Sequence, residues 1–269
     1  MATLLVIFGS PVPAWVHALL DAAGSRGVPG ERYALVPVPA ALPGNVSDMS
    51  GNVEAVVFDF EGTLVDFQWR LAQAEAELRH SFAAAGYAAA GNYAEMWNTA
   101  ADLAAPQGRL AQLRGALCRV YDRWDADALT RWEPRPGAAE LLSRLQRRGI
   151  GTAMVSNIGR AALAAALGRF GFERWLSPVV SRDEVTWMKP RTEGVRHVLA
   201  TLGVAPSAAL FVGDSRADVL AARAAGMRVA IIRGGECEEA AFDALPPDHL
   251  ITQLDEVIFL VGRSASSSL

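Results

Sequence analysis

Apolar and polar positions along the chain fall into two rhythms. One is the short, mostly apolar run: Ala55–Phe58, Thr152–Val155, Ser177–Val180, Ala209–Val212, Val229–Ile232 and His249–Thr252. Runs of this length without sustained polar alternation suit parallel strands covered on both faces. The other rhythm repeats at three and four residues and predicts amphipathic helices. From Pro134 onward the two alternate, with helices from Pro136-Gly137 through Arg148, at Arg160–Phe170, Arg191–Leu202 and Ala217–Ala225, and near Leu254–Val261. Proline at a helix start and a glycine such as Gly149 just past its end are the expected punctuation. Residues 67–132 hold no strand, and helices are predicted at Gln68–Ala85, Tyr93–Ala104 and Leu110–Trp124. The order implies an α/β protein with a three-layer Rossmann-like parallel sheet core, formed by 51–66 and 133–262. Residues 67–132 are then a compact helical insert, with Trp69, Tyr93, Trp97, Tyr121, Trp124 and Trp132 packing its interior or its underside.

Residues 1–50 are less legible. They admit a strand at Leu4–Phe8, a helical turn or two at Trp15–Ala23, and an edge strand at Tyr33–Val38 flanked by Pro37 and Pro39. Ala40–Ser50, rich in Pro, Gly, Asn and Ser, reads as a linker and makes 1–50 an accessory extension. The Ser-rich tail 263–269 is expected to be disordered.

Composition narrows the partners. The chain has 269 residues, 51% of them hydrophobic, enough for a sizeable core. Lys plus Arg number 25 against 29 Asp plus Glu, a net charge of −4, which argues against nucleic acid or an anionic membrane as the main partner. No apolar run approaches a membrane span, and the short stretch at Met1–Phe8 lacks the basic region of a signal peptide. Cys118 and Cys237 lie far apart without metal-type spacing and read as free thiols. A cytoplasmic protein is the expectation.

Candidate chemistry sits at the strand ends. The first strand stops in Asp59-Phe60-Glu61-Gly62-Thr63, the second in Ser156-Asn157, and a third in Gly213-Asp214-Ser215. Ligands of open α/β sheets bind beyond the carboxyl ends of the strands, so these groups share a crevice if the strands are neighbours. Asp59 and Glu61, two apart, offer a nucleophilic carboxylate beside a carboxyl group able to carry a proton. A solvated acidic turn is the bland alternative for that pair taken alone. The Ser156 hydroxyl and the adjoining backbone N–H suit phosphate oxygens, although Ser156 also suits a helix N-cap. Lys189, in Lys189-Pro190, adds a compact positive charge for the same oxygens. Asp214 and Asp218, four apart, can face a hard cation such as Mg²⁺.

In this order, Asp59-Phe-Glu61-Gly-Thr63, Ser156-Asn157, Lys189-Pro190 and Gly213-Asp214-Ser215-Arg-Ala-Asp218 resemble the four motifs of the haloacid dehalogenase-like superfamily. The likeness covers about residues 53–262. It implies an Mg²⁺-dependent phosphatase that acts on a small phosphorylated metabolite through an aspartyl-phosphate. Carried over, Asp59 is nucleophile and metal ligand, and Glu61 is general acid/base. The Glu61 backbone carbonyl and Asp214 complete the protein ligands of the metal, with Asp218 in support. Ser156, Asn157 and Lys189 hold the phosphoryl group, and 67–132 is a cap. Most phosphatases of this superfamily carry Asp where this chain has Glu61. The enolase-phosphatase branch also has Glu there, but the residues after Thr63 do not look like that branch. Dehalogenase members lack the acid, so Glu61 argues for phosphoryl transfer. A phosphomutase of the same fold is the rival enzyme, and a binding or regulatory module with weak turnover is the rival outside catalysis. Among the arginines of the insert, Arg70 lies nearest the hinge and is the candidate for a substrate contact.

Overall fold

A computed structural model describes residues 53–262. The elements expected in 1–50 and the tail 263–269 lie outside the described residues. Six parallel strands form one sheet: β1 Ala55–Phe58, β2 Gly151–Val155, β3 Val179–Val180, β4 Ala209–Gly213, β5 Arg228–Ile232 and β6 His249–Ile251. Their spatial order is β3-β2-β1-β4-β5-β6, which places β1 between β2 and β4. The register sets Phe58 level with both Met154 and Val212. Asp59, Ser156 and Asp214, one or two residues further along, therefore emerge at the same edge.

Every residue of β1 is buried, and its side chains divide between two apolar layers. Val56 and Phe58 join Met154, Leu210 and Val212 on one face; Ala55 and Val57 join Ala153, Phe211 and Val229 on the other. This is why the strands read as continuous apolar runs rather than alternating ones. The three-layer α/β expectation is met.

Eight α-helices accompany the sheet among the described residues. Three lie in the insert: α1 Leu71–Ala84, α2 Tyr93–Ala104 and α3 Leu110–Leu129. Five follow: α4 Ala138–Arg147, α5 Arg160–Phe170, α6 Glu193–Leu202, α7 Arg216–Ala225 and the single turn α8 Val257–Leu260. α2 begins where Asn92 and Glu95 form a capping box. α1 starts later than its apolar period implies, because the amides of Gln68 and Trp69 donate to the Glu61 carboxylate instead of opening the helix. α3 continues five residues beyond Trp124, and Asp125 within that extension is buried and paired.

The chain leaves the sheet at Val65 and returns at Pro134, where the two segments make an antiparallel bridge. Asp66 N–H donates to the Glu133 carbonyl at 3.0 Å and Arg135 N–H to the Leu64 carbonyl at 2.9 Å. The helical insert is thus tethered by two adjacent strands of chain. Trp97, Tyr121 and Trp132 are fully buried and belong to the same apolar cluster as one face of the sheet. No helix among the described residues is long and apolar enough to cross a membrane.

Candidate active site

The carboxyl ends of β1, β2 and β4 open onto a small cavity lined by Asp59, Glu61, Ser156, Asn157, Lys189 and Ser215 from the sheet side. Phe67, Trp69, Tyr93 and Ile158 add apolar surface, and Glu236 adds another carboxylate. Among the predicted residues, Asp214 and Asp218 lie just behind this lining. Gly62, with φ +78°, turns the chain beneath the site. A Cβ there would stand 1.9 Å from the Asp214 carboxylate, and one at Gly235 would stand 2.1 Å from the same oxygen. Asp214 is therefore seated between two glycines.

Asp59 is 7% exposed and Asp218 fully buried, and Lys189 joins them: its Nζ donates to Asp59 Oδ1 at 2.5 Å and to Asp218 Oδ1 at 2.7 Å. Burial works against the Lys189 ammonium, but the carboxylates of Asp218 and Asp59 outweigh it and its pKa is raised. Burial pushes Asp59 up to about 6, against the pull of Lys189. Asp214 rises well above the ordinary carboxylate range, first through burial and then through Asp59 and Asp218. Its oxygens receive the Glu236 N–H at 2.6 Å and the Thr63 hydroxyl at 3.5 Å, and no side-chain cation among the described residues.

Carboxylate oxygens of Asp59, Asp214 and Asp218 lie within 4.8 Å of one another. Lys189 offsets one of the three negative charges, leaving an excess that burial makes costly without a further cation. An all-oxygen donor set with free lone pairs on Asp59 and Asp214 fits a small hard divalent ion. The Glu61 side chain stands outside this cluster, so a metal role for Glu61 rests on its backbone carbonyl.

Asp218 has a second duty. Its Oδ2 accepts from Asp214 N at 3.1 Å, Ser215 N at 3.0 Å and Ser215 Oγ at 2.7 Å, closing the start of α7. Asn157 clamps the backbone of Lys189, with its Oδ1 accepting at 2.9 Å and its Nδ2 donating at 3.3 Å. Its side chain positions Lys189, and the phosphate role predicted for Asn157 is left to its main chain. Ser156 does not cap a helix. Its Oγ accepts from Ile158 N at 3.2 Å, while Gly159 takes the N-cap place of α5 without a side-chain bond.

The Glu61 carboxyl is held by Oε1, which accepts from Gln68 N at 2.8 Å, Trp69 N at 2.7 Å and Trp132 Nε1 at 2.8 Å. Burial nevertheless pushes it up to about 8, outweighing those three donors. Arg70 points away, 3.6 Å from Asp127, and does not line the cavity.

Some groups were not singled out in the sequence. Arg182, fully buried, pairs with Asp125 at 2.9 Å and Asp122 at 2.5 Å and donates to the Asn157 carbonyl at 3.2 Å. Asp125 also accepts from Trp69 Nε1 and Gly159 N, which ties α3 to the loop after β2. Glu236 sits half-buried after β5, pushed up to about 7 by burial and by Asp218 and Asp59. The signal for Glu236 was available: an acid after Gly234-Gly235, just past the end of a predicted parallel strand.

The model of the haloacid dehalogenase-like hydrolase family matches residues 53–226. A phosphoglycolate phosphatase of Cupriavidus necator is 37% identical over 120 residues, 45% of this chain and 52% of that protein. One of Photorhabdus laumondii is 28% identical over 217 residues, covering 78% of this chain and 93% of that protein. The chain spans about half the length of several other curated relatives it matches. A haloacid dehalogenase-superfamily hydrolase of Geobacter sulfurreducens, of known structure, superposes with a TM-score of 0.51 at 25% identity, covering 81% of this chain and 100% of that one.

Proposed function

The chain belongs to the haloacid dehalogenase-like hydrolase family, and from that premise we propose that it is an Mg²⁺-dependent phosphatase of a small phosphorylated metabolite. The observation that carries the reading is Lys189 bound to Asp59 beside Asp214, in one buried crevice at the ends of adjacent strands. The relatives named as phosphoglycolate phosphatases point to the same reaction class.

Asp59 is the nucleophile. Its carboxylate oxygen forms a bond to phosphorus as the ester P–O bond breaks, leaving an aspartyl-phosphate and an alkoxide. Glu61, protonated at neutral pH because burial raises it to about 8, gives its proton to that alkoxide. The resulting Glu61 carboxylate takes a proton from water, whose oxygen bonds to phosphorus while the P–O bond to Asp59 breaks. Phosphate leaves and both acids return to their starting forms. Lys189 and Ser156 hold the phosphoryl oxygens, and Asn157 and Asp218 keep Lys189 in place. Mg²⁺, held by Asp59, Asp214 and the Glu61 carbonyl, would supply positive charge to the phosphoryl oxygens.

Phosphate release from p-nitrophenyl phosphate tests the reading. Turnover is expected with Mg²⁺ and not with EDTA, and Asp59→Asn, nearly isosteric, should abolish it while keeping the fold by circular dichroism. Wild-type rates in Asp59→Asn would end the covalent route.

A further inference from the structure

The cavity is unevenly charged. Lys189 is the one basic side chain in its lining among the described residues, and both its ion pairs are made within the protein, to Asp59 and Asp218. Glu236 also lines the cavity, and it makes no ion pair among the described residues.

The loop that carries Glu236 is fixed in place. Its N–H donates to Asp214 Oδ2 at 2.6 Å, and Gly235 leaves no room for a Cβ against that same oxygen. From the other side Arg135 grips the carbonyls of Arg233 at 3.0 Å and Gly234 at 2.6 Å. A side chain carried on so anchored a turn is part of the site's shape.

Resting on the phosphatase reading, we propose that Glu236 selects a leaving group bearing a hydrogen-bond donor, hydroxyl or ammonium, and rejects one bearing a carboxylate. In either protonation state Glu236 keeps an oxygen that accepts from such a donor. A carboxylate on the leaving group would lose its water without gaining a cation and would face like charge. Trp69 and Tyr93, packed edge to face with ring centroids 5.0 Å apart, add aromatic surface to the same lining. Glu236 is thus a specificity residue, and the phosphoglycolate named for the relatives is a poor substrate for this chain.

Three two-carbon phosphomonoesters of similar size decide the matter: 2-hydroxyethyl phosphate, 2-aminoethyl phosphate and 2-phosphoglycolate. Ratios of kcat/KM measured within one preparation cancel differences in folded fraction between variants. Wild type is expected to favour the better of the first two over phosphoglycolate by at least about tenfold. Glu236→Gln should narrow that ratio and Glu236→Lys should invert it. A loss in Glu236→Gln confined to the aminoethyl ester identifies ammonium as the bound group, and a loss on the hydroxyethyl ester that appears in Glu236→Leu but not in Glu236→Gln identifies hydroxyl. Phosphoglycolate matching or exceeding both esters, or ratios unmoved by either substitution, overturns the proposal while p-nitrophenyl phosphate turnover keeps the phosphatase reading. Inertness toward all three esters and p-nitrophenyl phosphate brings down both.

Discussion

Glu61 is the residue on which the chemistry turns. An acid needs a proton at neutral pH and a fixed position, and these demands pull against each other. Hydrogen bonds from Gln68, Trp69 and Trp132 fix the carboxyl but favour its charged form; burial favours the neutral one and prevails, up to about 8 from 4.5. A proton donor with a pKa so raised stays competent through neutral pH, and kcat/KM falls as pH rises through about 8. Glu61→Gln should lose about 10² to 10⁴ in rate on alkyl phosphates and lack that alkaline limb, as a pH–rate profile will read. Activated esters, whose leaving groups need no proton, should lose much less. An unchanged limb in Glu61→Gln assigns it to another group.

At the scale of the element, the turn after β1 determines where the acids meet. Gly62 has φ +78° and closes on Asp214, which Gly235 walls from the other side, so the carboxylate has nowhere to retreat. Gly62→Ala should cost about 1–3 kcal/mol in chemical denaturation, from strain and displaced Asp214, and should cut kcat more than KM. Element by element, the fold was largely readable. All six strands announced themselves as apolar runs bounded by turns, and the strand-end acids Asp59 and Asp214 followed from their place in a parallel sheet. What was not readable depends on contacts remote in sequence. Trp132 reaches Glu61 across 71 positions and Arg182 reaches Asp125 across 57, and neither residue differs locally from a packing aromatic or a solvated arginine. The late start of α1 has the same origin, since its first amides are diverted to Glu61. Glu236 was legible in principle, as an acid beyond a strand end.

Across the whole molecule, the helical insert joins the sheet in two ways. Two adjacent chain segments at Val65 and Pro134 tether it, and polar contacts latch it to the loop leading to Lys189. Asn98 exchanges hydrogen bonds with the Met188 backbone at 2.8 and 3.0 Å, and Trp97 donates to the Thr186 carbonyl at 2.9 Å. We propose that residues 67–132 act as a cap whose latch helps to set the position of Lys189. The buried Arg182–Asp125 ion pair also joins α3 to the turn after β3. Asp125→Ala leaves Arg182 with a buried charge short of its one fully buried partner, and should destabilise the protein by about 3–5 kcal/mol in urea denaturation. A change below about 1 kcal/mol would mean that Asp122 alone suffices for Arg182.

The central claim is that phosphorus bonds to Asp59 during turnover. Mixing enzyme, Mg²⁺ and excess substrate, quenching in acid within the turnover time, and mapping the protein by peptide mass spectrometry tests it directly. The account predicts one added phosphoryl group on the peptide containing Asp59, lost on neutralisation with hydroxylamine and absent from Asp59→Asn. Steady hydrolysis with the group on another residue, or with oxygen-18 labelling that shows water attacking the substrate phosphorus directly, would contradict it.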